Sequence, residues 1–162
     1  MDKIIGRTDE MALLQNLLNS SNAEFLAVYG RRRVGKTFLL RKFYAGHIVF
    51  QMTGAFNAST TDHLSIFFNA INNLEDESQL HAIPKDWFEA FEILKKYIQN
   101  SVTGKKVIFF DELPWIDTPR SKFLTALEHF WNSWASARSD IILIVCGSAS
   151  SWIIKKVINN QI

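Results

Sequence analysis

Short apolar runs alternate with longer stretches in which apolar residues recur every three or four positions. Phe25-Leu26-Ala27-Val28-Tyr29 is apolar throughout and stops at Gly30. Ile48-Val49-Phe50-Gln51-Met52 is a second run, and Val107–Phe110 and Ile141–Val145 are the clearest. Runs this short, rich in β-branched and aromatic residues and apolar on both faces, predict buried strands. Between them, Met11, Leu14, Leu17 and Leu18 form one stripe, with Asp9 and Glu10 placed to suit a helix N-terminus. Leu39, Leu40 and Phe43 mark a helix opening near Gly35, and Leu64, Phe67, Phe68 and Ile71 mark another. Asp86 with Glu89 reads as a capping box before Trp87, Phe91, Leu94 and Ile98. Phe123, Leu127, Phe130, Trp131 and Trp134 give the strongest helical spacing. Strands alternating with helices predict an α/β domain with a mainly parallel sheet. In such sheets ligands bind beyond the carboxyl ends of the strands, so the residues just after each strand are the ones to inspect.

Composition narrows the class. The chain has 162 residues, enough for one domain with its own core. Apolar residues make up 48% and charged residues 21%, a globular balance. Eighteen basic and 16 acidic residues leave a net charge of +2. That argues against bulk electrostatic gripping of nucleic acid. A single cysteine, Cys146, excludes an internal disulfide framework and a multi-cysteine zinc site. Met1 to Arg7 reaches a turn and charges too early for a signal peptide, and Ile141–Cys146 is far short of a membrane span. The expectation is a cytoplasmic domain without a membrane partner.

The chemistry sits after the strands. Gly30-Arg31-Arg32-Arg33-Val34-Gly35-Lys36-Thr37 is a complete G-x-x-x-x-G-K-[ST] match between an expected strand and an expected helix. Its glycines let the backbone wrap so that successive amides face phosphate oxygens, and the helix N-terminus adds its own unpaired N–H groups. Lys36 is placed to reach the β- and γ-phosphates of ATP, and the Thr37 hydroxyl to ligate Mg²⁺. Asp111-Glu112 follows the third strand. Asp111 is then a candidate for the Mg²⁺ shell, and Glu112 for orienting or deprotonating the attacking water. Ser148, after the fourth strand, is placed either to bond the γ-phosphate or water, or to cap a helix near Ser150 or Ser151. Arg31, Arg32 and Arg33 are either phosphate, partner or nucleic-acid contacts, or solvated loop side chains. His47, His63, His81 and His129 lack metal-ligand spacing and read as ordinary. The tryptophans read as core, except Trp115, expected on a loop after Pro114. Cys146 reads as an inert small hydrophobe.

Tyr29–Thr37, Phe110-Asp111-Glu112-Leu113-Pro114-Trp115, Ile144–Trp152 and the Phe123–Trp131 helix resemble the archaeal-type ATPase family of prokaryotes, placed with the AAA+-like and STAND P-loop ATPases. The resemblance runs from about Ile4 to Asn160. It implies ATP and Mg²⁺ binding, Ile5, Gly6 and Arg7 near adenine, and Ser148 at the sensor position. It also implies a P-loop three-layer sandwich of sheet order 5-1-4-3-2 with the fifth strand missing here, so that residues 1–162 form an ATPase domain incomplete at its C-terminus. Protein partners or C-terminal domains are expected with it, including an arginine from the missing part. The expected function is an ATP-binding, ATP-hydrolysing domain of a switch-type ATPase. Two alternatives stand beside it: a DNA-associating module with a vestigial ATP site, and a P-loop phosphotransferase.

Overall fold

The structure, a computed structural model, describes residues 8–30, 35–73, 82–100 and 104–148; the side chains of Thr8, Tyr29, Lys36 and Ser148 lie outside that description. The elements in chain order are α1 (Thr8–Asn19), β1 (Glu24–Gly30), α2 (Lys36–Phe43), β2 (Ile48–Thr53), α3 (Thr60–Asn72), α4 (Trp87–Gln99), β3 (Lys106–Asp111), α5 (Leu113–Ile116), α6 (Phe123–Ser133) and β4 (Ile141–Ser148). The four strands pair in parallel in the order β1-β4-β3-β2. This is the order expected for the four strands the sequence marks.

Alternation along the central strands explains the layers. In β3, Val107 and Phe109 face one way, and Ile108 and Phe110 the other; in β4, Ile142, Ile144 and Cys146 oppose Ile141, Leu143 and Val145. The first set packs against Leu14 of α1 and Leu39 and Leu40 of α2. The second packs against α3, α4 and α6. Both faces are covered, which is why these strands carry no polar alternation. The outer strand β1 is only half-buried from Phe25 to Val28.

The Phe110 ring lies between Phe50 (5.6 Å), Phe91 (5.9 Å) and Phe123 (5.7 Å), which fixes the last turn of the strand before Asp111. At the opposite end of the sheet, Lys106 Nζ donates to Asp140 Oδ2 at 2.8 Å, and Arg138 donates to both Asp140 oxygens at 2.9 and 2.8 Å. The β3 strand is thus fastened at both ends.

Three local features differ from expectation. At α4, Asp86 Oδ1 accepts from Glu89 N–H at 2.8 Å, the forward half of the box. A reciprocal capping box instead opens α3, where Ser59 Oγ accepts from Asp62 N–H and Asp62 Oδ2 from Ser59 N–H, each at 3.0 Å. Trp115 is not on a loop but inside α5, because Pro114 suits the first turn of a helix. The α6 helix ends at Ser133, and Trp134 leads into a 3₁₀ turn over Ala135–Ala137.

Candidate functional site

The strand ends bring the marked residues together. In the register, Gly30 at the end of β1 pairs with Ser148 of β4, and Thr53 at the end of β2 pairs with Asp111 of β3. All four lie along one edge of the sheet, where the parallel topology directs a ligand.

Gly35 caps α2 with φ 77° and ψ 12°, a left-handed conformation that glycine adopts without a Cβ penalty. Its carbonyl accepts from Leu39 N–H at 2.9 Å, so α2 starts immediately after it. The first residue of α2 is Lys36 and the second Thr37. Arg31, Arg32, Arg33, Val34, Ile5, Gly6 and Arg7 lie outside the described residues, as do the Lys36 and Ser148 side chains.

Thr37 and Asp111, distant in sequence, meet directly. The Thr37 hydroxyl donates to Asp111 Oδ2 at 3.1 Å. Asp111 is 7% exposed, and its Oδ1 accepts from Glu112 N–H at 2.9 Å. The carboxylate is therefore oriented by a backbone amide on one oxygen and a hydroxyl on the other. A hydroxyl and a carboxylate are the hard oxygen donors that suit Mg²⁺, which keeps waters and phosphate oxygens for the rest of its octahedron. Among the described residues, no group of three or more His, Cys, Asp or Glu is placed to hold a metal through protein ligands alone. The donor set fits a metal that arrives with phosphate.

The sequence reading passes over Arg41, one helical turn beyond Thr37. Its guanidinium donates to Thr53 Oγ1 at 3.3 Å and lies 4.0 Å from Asp111 Oδ2. It also stands over the Phe109 ring at 5.8 Å. With Arg41 half-exposed, this pair contributes little to stability but adds positive charge beside the acid. The spacing Thr37-x-x-x-Arg41 was the available signal, since residues four apart share a helix face.

Glu112 is half-buried and left-handed, with φ 51° and ψ 48°. It caps α5, its carbonyl accepting from Trp115 N–H at 3.0 Å. A non-glycine residue in this region is sparsely populated and strained by roughly 1–2 kcal/mol, which the surrounding packing must offset.

A family model described as an ATPase domain predominantly from Archaea matches residues 5–161. The chain belongs to that family. It is 27% identical over 157 residues to the protein MJECL04 of Methanocaldococcus jannaschii, a match covering 96% of this chain and 32% of that protein. Among solved structures it is similar to the Walker-type ATPase PABY2304 of Pyrococcus abyssi, with a TM-score of 0.62 at 18% identity over 89% of this chain and 45% of the other. The Aeropyrum pernix ORC2 protein, solved in ADPNP–ADP complexes, matches with the same TM-score and identity over 98% of this chain and 46% of that one. The chain thus spans about a third of the curated relative and under half of the solved ones. It is a domain of the ATPase family with the P-loop ATPase fold. Among the described residues, no helix is long and apolar enough to cross a membrane.

Proposed function

We propose that this domain binds ATP with Mg²⁺ and hydrolyses it, as the switch-type ATPase unit of a longer cytoplasmic protein or assembly. The observation that carries the reading is the Thr37 hydroxyl on the Asp111 carboxylate at 3.1 Å, at the meeting point of the two motifs. In this reading the Gly30–Thr37 loop, with Arg31, Arg32, Arg33 and Val34, wraps the phosphates, and Lys36 neutralises the β- and γ-phosphates. Ile5, Gly6 and Arg7 lie by the adenine. Thr37 and Asp111 hold Mg²⁺, which when bound screens the charge on the β- and γ-phosphate oxygens. Glu112 takes the proton of the attacking water, and Ser148 bonds the water or the γ-phosphate. Partner proteins or further domains read the nucleotide state, consistent with the small share of its relatives that this chain spans.

Glu112→Gln tests the role of the base. ATP affinity stays near that of the wild type, while single-turnover hydrolysis falls by about 10²–10⁴. Asp111→Asn differs by weakening the Mg²⁺-dependent part of binding itself. Wild-type turnover by Glu112→Gln would remove Glu112 from the mechanism.

A further inference from the structure

The connection from β2 to α3, residues 54–59, crosses the carboxyl end of β3 and is fastened along its length. Gly54 N–H donates to the Asp111 carbonyl at 2.9 Å. Ala55 N–H donates to Nε2 of His63 at 3.0 Å, and His63 Nδ1 lies 2.9 Å from the Ser59 carbonyl. His63 is fully buried, and these two bonds use both ring nitrogens: Nε2 accepts, so Nδ1 carries the proton and donates. On the strap itself the Phe56 ring lies against Trp115 at 5.7 Å, and just beyond it the Thr60 and Thr118 hydroxyls meet at 2.9 Å.

The inner side of this strap has no space for a side chain. A Cβ on Gly54 would stand 2.5 Å from the Glu112 carbonyl oxygen, 2.9 Å from Ile116 Cγ1 and 3.1 Å from Trp115 Cβ. The first of these is a backbone atom and cannot rotate away. Glycine is required here by space rather than by a left-handed φ. The oxygen it faces is the one that accepts from Trp115 N–H and closes α5 behind the strained Glu112.

We propose that the 54–59 strap is a positioning element for the Glu112 carboxylate, with Gly54 as the positioning residue. The backbone of Glu112 is held between the end of β3, the start of α5 and the strap, so the left-handed turn that aims its side chain has one stable geometry. Widening the gap by one methyl group moves the Glu112 carbonyl, and the carboxylate with it. This inference rests on Glu112 acting as the base.

The test is Gly54→Ala in the full chain, alone and combined with Glu112→Gln. Mg·ATP affinity is measured by calorimetry, hydrolysis by single turnover, and backbone geometry by amide resonances. Affinity is expected to hold while hydrolysis falls about 10²-fold, the scale of a misplacement near 1 Å. The amide resonances of Glu112, Leu113 and Trp115 shift, and those of α4 keep their positions. In the Glu112→Gln background, Gly54→Ala slows nothing further, because the group it positions is already gone. Wild-type hydrolysis by Gly54→Ala, an equal loss in both backgrounds, or an unmoved Glu112 amide would overturn the proposal. A Glu112→Gln variant as fast as the wild type would instead refute Glu112 as base, leaving the amide shifts to decide whether the strap sets its backbone. Should Gly54→Ala not fold, His63→Leu loosens the strap from its other side and is expected to give the same split; intact hydrolysis there would overturn the proposal equally.

Discussion

Single residues carry conflicting demands at this site. Glu112 holds a conformation that most side chains avoid, and Asp111 is nearly buried as a carboxylate. The strand pattern and the P-loop spacing made Thr37, Asp111 and Glu112 legible as types at positions. The left-handed φ of Glu112 was not legible, because nothing in its local propensity marks it; only the structure shows its carbonyl accepting from Trp115 N–H and facing Gly54 across the gap. Gly54 was hidden for the same reason: a glycine just after a strand is common, and only the approach of another backbone gives it meaning. Arg41 was not singled out from the sequence, since its partners lie on β2 and β3.

Tyr44 offers a test of a buried contact at this scale. It is fully buried at the end of α2, and its hydroxyl donates to the Leu14 carbonyl of α1 at 2.9 Å. Burial raises its pKa well above the usual tyrosine range, so it acts as a donor at any working pH. Tyr44→Phe removes that bond with little change in shape. The expected cost is about 1 kcal/mol, or roughly 2–4 °C in melting temperature. Unchanged melting would show that the bond between α1 and α2 contributes nothing.

At the scale of elements, apolar runs and helical spacing located every strand and helix longer than one turn among the described residues, because burial on both faces leaves a strong signature. α5 was missed: a four-residue helix has no period to read, and Pro114 was taken as a loop signal although it also suits a helix start. The capping box at Ser59 escaped because its N3 residue is Asp62, not the Glu or Gln of the usual pattern.

The clamp at the far end of β3 and β4 predicts acid sensitivity. Hydrogen bonds from Arg138, and then from Lys106, hold the Asp140 carboxyl far below the usual carboxylate range. The Ser59 N–H and hydroxyl likewise lower Asp62 at the start of α3. A carboxylate with a lowered pKa binds fewer protons in the folded chain than in the unfolded one. Its contribution is therefore complete above the unfolded value, near 3.9, and fades as pH falls below it. Asp140→Asn is expected to lower the melting temperature at pH 7 by several degrees and to flatten its decline in acid. A variant with the wild-type acid limb would show that the clamp does not titrate with folding.

For the whole molecule, the two helical layers and the ring cluster around Phe110 form a packed base, and the candidate site residues gather at the carboxyl ends of the strands. That division was readable from topology alone, because strand-helix alternation forces a parallel sheet whose carboxyl ends collect the loops. The central claim is that this edge binds ATP through the P-loop and Mg²⁺. Calorimetric titration of ATP into the wild type and Lys36→Ala, each with Mg²⁺ and with chelator, tests it most directly. Tight binding by the wild type that weakens on chelation, and is largely lost in Lys36→Ala, is the predicted result. Equal ATP affinity for the two proteins would contradict it.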